Sequence, residues 1–206
     1  MPTPTQPSAA SAATRRVILA LGALVVLVLG YFILKPVVNP NAPHGGDPHT
    51  DNPALKAVQT FDYEGAQHTT DPVNYAQTPP AGGPHDPVWQ DCGVYTQPLR
   101  NENAVHSLEH GTVWITYRPD LSASDVATLQ SDLDAVKDHK TILSPYPDLP
   151  APVVITVWNA QLDLKGATDP RLPTFISVYG DGHTAPEASI ASCAGGKVFY
   201  ASPDTP

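Results

Sequence analysis

The chain has 206 residues with 20 acidic and 11 basic side chains, enough for one domain of ordinary size plus attachments. All 20 acids and 8 of the bases lie beyond Pro36, so that part carries a net charge of −12 with histidine neutral. Such a surface repels phosphate backbones and anionic headgroups, which argues against nucleic acid as a partner and against a second membrane contact.

Residues 1–14 are mostly Pro, Ser, Ala and Thr without a charged side chain, a composition that cannot bury a core. With Arg15 and Arg16 they form an expected disordered cytoplasmic tail, residues 1–16. Val17 to Leu34 is an unbroken uncharged run of 18 residues. At ~1.5 Å per residue it spans about 27 Å, close to the hydrocarbon thickness of a bilayer. A core helix of that length would carry a polar stripe, and this run has none. A cleaved signal peptide is the competing reading, but the run exceeds a usual apolar core and no small-x-small cleavage site follows it. Residues 17–34 are therefore read as a single transmembrane helix. The two arginines before it hold the N-terminus in the cytoplasm and place the rest outside.

Residues 35–60 contain five prolines and paired glycines and are expected to be a Pro-rich linker. His44 and His49 fall in it as solvated bystanders, with a loose metal-scavenging tract as the minor alternative. The exported, extracytoplasmic domain is expected over residues 61–206. Its first stretch, Phe61 to Arg100, mixes aromatics with prolines and glycines, chemistry for irregular loop with short strands. His85 follows a Gly82-Gly83-Pro84 turn; taken singly, it is more simply a hydrogen-bonded structural histidine than a ligand. Cys92 and Cys193 are the only two cysteines. In an oxidising compartment an even count favours a disulfide between them. Two separate thiols, or Cys92 acting with His85 as a metal ligand, are the alternatives.

The segment Asn103 to Gly111 places His106, Glu109 and His110 within five residues. On a helical turn His106 and His110 share a face, a spacing used to hold one metal ion, and Gly111 would end the turn in the left-handed region. Val113–Tyr117 follows as a buried strand. Ser122 is a plausible N-cap, with Asp125 in the first turn. Val126, Leu129, Leu133 and Val136 then form an apolar stripe ending near His139. Thr141–Ser144, Val153–Trp158 and Gln161–Leu164 read as strands, the last two joined through Asn159-Ala160. Asp169-Pro170 opens a second helix with Leu172, Phe175, Ile176 and Tyr179 inward. Lys197–Tyr200 offers a last strand. The expected class is α+β, with the aromatic loop region packed on a ferredoxin-like β-α-β-β-α-β plait. His139, at a helix C-terminus, has a structural explanation; His183 lies in a loop.

Pro79-Pro80-x-Gly82-Gly83-Pro84-His85, Trp89, Cys92-Gly93-Val94-Tyr95, Glu102 and Val105-His106-Ser107-Leu108-Glu109-His110-Gly111 together resemble the family catalogued as domain of unknown function 3105. The resemblance covers about Ala57 to Cys193 and continues through Leu143-Ser144-Pro145-Tyr146, Trp158 and Pro186-Glu187. It implies a membrane-anchored layout found largely in actinobacteria, and marks His85, His106 and His110 as the signature. Where the family usually has hydroxyl residues before the Gly-Pro-His, this chain has Ala81-Gly82. The resemblance supplies no reaction.

Two functions are compatible with these residues. The first is an extracytoplasmic protein binding a divalent transition metal, Zn²⁺ or Cu²⁺, through His85, His106, His110 and Glu109. With Met1 the only methionine, a thioether site for Cu⁺ is disfavoured. The second is a non-catalytic module that binds a cell-envelope protein, its histidines being structural. A hydrolase is disfavoured: there is no Gly-x-Ser-x-Gly, His-Glu-x-x-His or Ser-x-x-Lys, and the Glu here neighbours the second His. No catalytic residue is assigned, and the expectation is a protein without enzymatic activity.

Overall fold

The computed structural model describes residues 44–45, 51–135, 140–189 and 194–202. The expected tail, the membrane helix at 17–34, most of the linker, His49, Val136, His139 and Cys193 lie outside the described residues. No helix among the described residues is long and apolar enough to cross a membrane.

The described chain contains strands β1 (His44–Gly45), β2 (Gln59–Thr60), β3 (Gly93–Val94), β4 (Val113–Tyr117), β5 (Thr141–Pro145), β6 (Val153–Val157) and β7 (Ala160–Leu164). Helices α1 (Asn101–Glu109), α2 (Ala123–Ala135) and α3 (Arg171–Tyr179) and a 3-10 turn, Pro53–Leu55, complete it. The strands form one mixed sheet in the order β1-β2-β7-β6-β4-β5-β3. Every residue of β4 and β6 is buried, because both faces of the sheet are covered. Val113, Ile115, Val153, Ile155, Leu162 and Leu164 form one face, filled by Leu129 and Leu133 of α2 and by Leu172, Phe175, Ile176 and Tyr179 of α3. Leu55 and Val58 belong to that same core, so the folded region begins before the expected linker boundary at residue 60.

The opposite face carries Trp114 and Ile142, which meet Ala104, Val105 and Leu108 of α1, Tyr95, Leu99 and Trp158. This side also holds buried polar groups, several of them bonded internally. Trp114 Nε1 donates to Ser144 Oγ at 3.0 Å, and Gln161 Nε2 donates to Pro79 O at 2.9 Å and Thr156 Oγ1 at 3.0 Å. Asn159, at φ +64°, makes the tight turn between β6 and β7. The start of α2 is capped by Ser122, whose Oγ accepts from Asp125 N at 3.1 Å.

The α+β class holds, and the ferredoxin-like plait does not. In a split crossover, a third strand sits between the two that flank the first helix. Here β4 and β5 are direct parallel neighbours, from Val113↔Thr141 to Tyr117↔Pro145, and β6 joins the other side of β4 antiparallel. The outer edge of β5 is occupied by β3, a strand from the aromatic loop region. Lys197–Tyr200 is not a sheet strand: Lys197 bridges Gln90 and Tyr200 bridges Leu99. With β3 already at that edge, the C-terminal segment lies along the loop instead.

Asp169 fastens α3 to the end of β7. Its Oδ1 accepts from Arg171 N and Nε, each at 3.0 Å, and its Oδ2 from Lys165 N at 2.9 Å and Arg171 Nη2 at 2.7 Å. The Arg171 hydrogen bond, the largest influence, holds this carboxyl well below the usual carboxylate range. A depressed folded value means that the stabilisation is complete above the unfolded value of about 4 and is lost as pH falls below it. Unfolding of the full chain, followed by tryptophan fluorescence, should therefore show lower stability at pH 3 than at pH 7. Asp169→Asn should lose about 1–3 kcal/mol at pH 7 and narrow the difference between the two pH values.

Candidate metal centre

Helix α1 is buried from Glu102 to Glu109 although most of its side chains are polar. Ala104, Val105 and Leu108 form its apolar stripe against the sheet. The remaining side chains face the loop that precedes the helix, and that loop bonds several of them. Asn103 Nδ2 donates to Val88 O at 2.6 Å, Ser107 Oγ donates to Gln90 O at 2.7 Å, and Glu102 Oε1 accepts from Val73 N at 2.9 Å. Arg100 closes the start of the helix with ion pairs to Asp86 at 2.6 Å and Glu102 at 3.2 Å.

Two of these contacts fix imidazole orientation. His106 Nδ1 lies 2.6 Å from the Asp86 carbonyl, and His85 Nδ1 lies 2.9 Å from the Gly83 carbonyl. A carbonyl oxygen only accepts, so each Nδ1 carries a proton, and in the neutral ring Nε2 is the nitrogen left with a lone pair. His85 Nε2 sits 2.9 Å from Glu109 Oε2, with both side chains fully buried. Apart from each other, neither atom has a hydrogen-bond partner among the described residues. Two acceptors converging in a dry site call for a cation or a proton between them.

His68 completes the group. It pairs with His85 across a short parallel bridge, in which Thr69 N donates to His85 O at 2.7 Å and His85 N donates to Gln67 O at 2.9 Å. One donor atom from each of His68, His85, His106 and Glu109 lies within 4.8 Å of all the others. His68 is 43% exposed, and the other three are buried. Burial, the largest effect, pushes the His106 imidazole below its ordinary value, partly offset by the Asp86 carbonyl, so it is neutral and able to ligate at neutral pH. Burial alone would raise the Glu109 carboxyl, but His85, the Ala66 amide and His106 outweigh it and hold it below the ordinary value.

Glycines bring the surrounding segments close. Glu109 Oε1 accepts from Ala66 N at 2.5 Å, and a Cβ on Gly65 would stand 2.7 Å from that oxygen and 2.6 Å from Pro186 Cγ. Gly111 does end α1 in the left-handed region, at φ +80°, and a Cβ there would meet Ala188 Cβ at 2.9 Å. The segment around Pro186 to Ala188 therefore lies against the helix end, where Glu187 N donates to Glu109 O at 3.1 Å. That contact places Glu187 Oε2 at 3.5 Å from His110 Nε2.

Of the four expected ligands, His85, His106 and Glu109 converge. His110 falls into an adjoining group with His106 and Glu187. His106 and His110 share a helix face, and His106 belongs to both groups while His110 belongs only to the second. His68 and Glu187 were not foreseen as ligands. His68 sits alone in a polar loop with no spacing relation to the helix, so only the bridge to His85 reveals it. Glu187 lay within the Pro186-Glu187 pair of the resemblance, without a sign of its proximity to His110. Cys92 carries no free thiol. His183 pairs with Asp181 at 2.6 Å, stacks on Tyr179, and belongs to neither group.

A mixed α+β sheet with a buried polar helix and a histidine–carboxylate cluster defines the class of this domain. The chain belongs to the family described as protein of unknown function DUF3105, whose pattern matches residues 67–195. That span contains all six clustered residues, His68, His85, His106, Glu109, His110 and Glu187. No curated protein and no solved structure matches the chain.

Gly65→Ala tests the close approach at Glu109. The added methyl should push the Gly65–Ala66 backbone off the carboxylate and lower stability by about 1–3 kcal/mol, measured by thermal unfolding.

Proposed function

We propose that this protein is a membrane-anchored extracytoplasmic protein whose exported domain binds a divalent transition metal, Zn²⁺ or Cu²⁺. The ligands are His85, His106 and Glu109, joined by His68. The observation that carries the reading is the fully buried pair His85 Nε2 and Glu109 Oε2, 2.9 Å apart with no other hydrogen-bond partner among the described residues, and the convergence of His106 and His68 on the same point. Imidazole and carboxylate donors suit these ions, and backbone carbonyls on the outer nitrogens are the support that metal-bound histidines require. A set of protein donors this full favours holding an ion over turning over a substrate. His68, the exposed member, offers the entry path.

The metal-stripped full chain in detergent should bind Zn²⁺ or Cu²⁺ stoichiometrically at neutral pH. Ligation requires unprotonated imidazole, so affinity should fall as pH drops through about 6.5. His85→Ala and Glu109→Gln should each weaken binding at least about 10-fold with circular dichroism unchanged. Wild type that binds no better than these variants would make the cluster structural, leaving a module that binds an envelope protein.

The anchor at residues 17–34 and the Cys92–Cys193 disulfide belong to the same proposal, supported by the Arg15-Arg16 flank and by the even cysteine count. Protease added to intact cells should remove the region after Lys35 and spare an N-terminal tag. Non-reducing peptide mapping of the released material should find the two cysteine peptides joined. Protection of the C-terminal domain, or two alkylatable thiols, would contradict the corresponding part.

A further inference from the structure

We infer that the centre holds two ions side by side, one on His68, His85 and Glu109 and the other on His106, His110 and Glu187. This inference rests on the metal-binding reading above, extends it to the number of ions, and moves His106 from the first ion to the second. Two overlapping groups of donors lie within ligand reach, and His106 is common to both. With its Nδ1 donating to the Asp86 carbonyl, His106 has only Nε2 to offer, and one lone pair serves one ion.

Assigning His106 to the second group leaves two complete sets of three. Each consists of two imidazoles and one carboxylate, a donor set that suits divalent transition ions. The sets are contiguous: the His85 and His106 ring centroids are 4.8 Å apart, and those of His106 and His110 are 4.5 Å apart.

The second set has its own supports, with Glu187, 34% exposed, as its solvent-facing member. His110 is 3% exposed and packs its ring 5.0 Å from Trp89, which also meets His106. The Glu187 backbone is held by the hydrogen bond its N–H donates to Glu109 O, and Lys140 Nζ ties the two segments together by donating to His110 O at 2.7 Å and Ala188 O at 3.1 Å. The close approach of Gly111 to Ala188 helps bring this carboxylate to the helix end.

The test is stoichiometry. The metal-stripped full chain is dialysed against excess Zn²⁺ at neutral pH, and bound zinc per chain is measured by elemental analysis. Wild type should hold two ions. His110→Ala and Glu187→Gln should each hold one, with thermal stability in the absence of metal unchanged for Glu187→Gln, whose backbone contact survives. His85→Ala should also lose one. One ion per chain in wild type, lost in His85→Ala and retained in Glu187→Gln, would overturn the second site and leave the metal-binding function standing. Two ions retained in both His110→Ala and Glu187→Gln would place the second ion elsewhere and overturn the assignment. No bound zinc in wild type would overturn both.

Discussion

A carboxylate taken fully out of water must be compensated where it lies, at a penalty of several kcal/mol if it is not. Glu109 is such a group, and most of the loop architecture is arranged around it. Its Oε1 draws in the Ala66 amide, and its Oε2 faces His85. The loop that delivers Ala66 is anchored by the β6–β7 turn, where Asn159 accepts from Tyr63 N at 2.7 Å and donates to Tyr63 O at 3.1 Å. Asn159 N also donates to Ala81 O at 2.8 Å, which fixes the run leading into His85. One turn residue of the sheet therefore positions both loops that meet the carboxylate.

The two faces of the sheet do different work. One packs against α2 and α3 through aliphatic and aromatic side chains alone and provides the bulk of the hydrophobic burial. The other packs against a helix whose apolar stripe is only Ala104, Val105 and Leu108 wide. That narrow stripe leaves the rest of α1 to polar side chains, which remain buried because a loop of aromatics and prolines covers them. A low local dielectric strengthens each of these contacts and penalises each unmade one. Hence lone pairs that converge in this layer are a functional signal in a way that they would not be at the surface.

An ion at such a point converts an unfavourable convergence of acceptors into ligation, and any ligand bound only by the folded state adds to its stability. Family membership places the same six residues inside the matched segment and leaves the chemistry to be read from their geometry.

Local pattern determined the helices, the central strands, the Ser122 cap, the Gly111 stop and the β6–β7 hairpin, because each depends on periodicity or on a single backbone requirement. It also showed His106, Glu109 and His110 as neighbours, since four residues along a helix is a distance that sequence specifies. Strand order was decided by tertiary structure: whether the strand after a crossover helix lands beside its predecessor depends on what occupies the edges, and β3 comes from a loop with no strand periodicity of its own. The completion of the centre was decided there too. His68 reaches it through a backbone bridge to His85, and Glu187 through glycine contacts at the end of α1. Both are long-range approaches of irregular backbone, and no spacing in the chain encodes them.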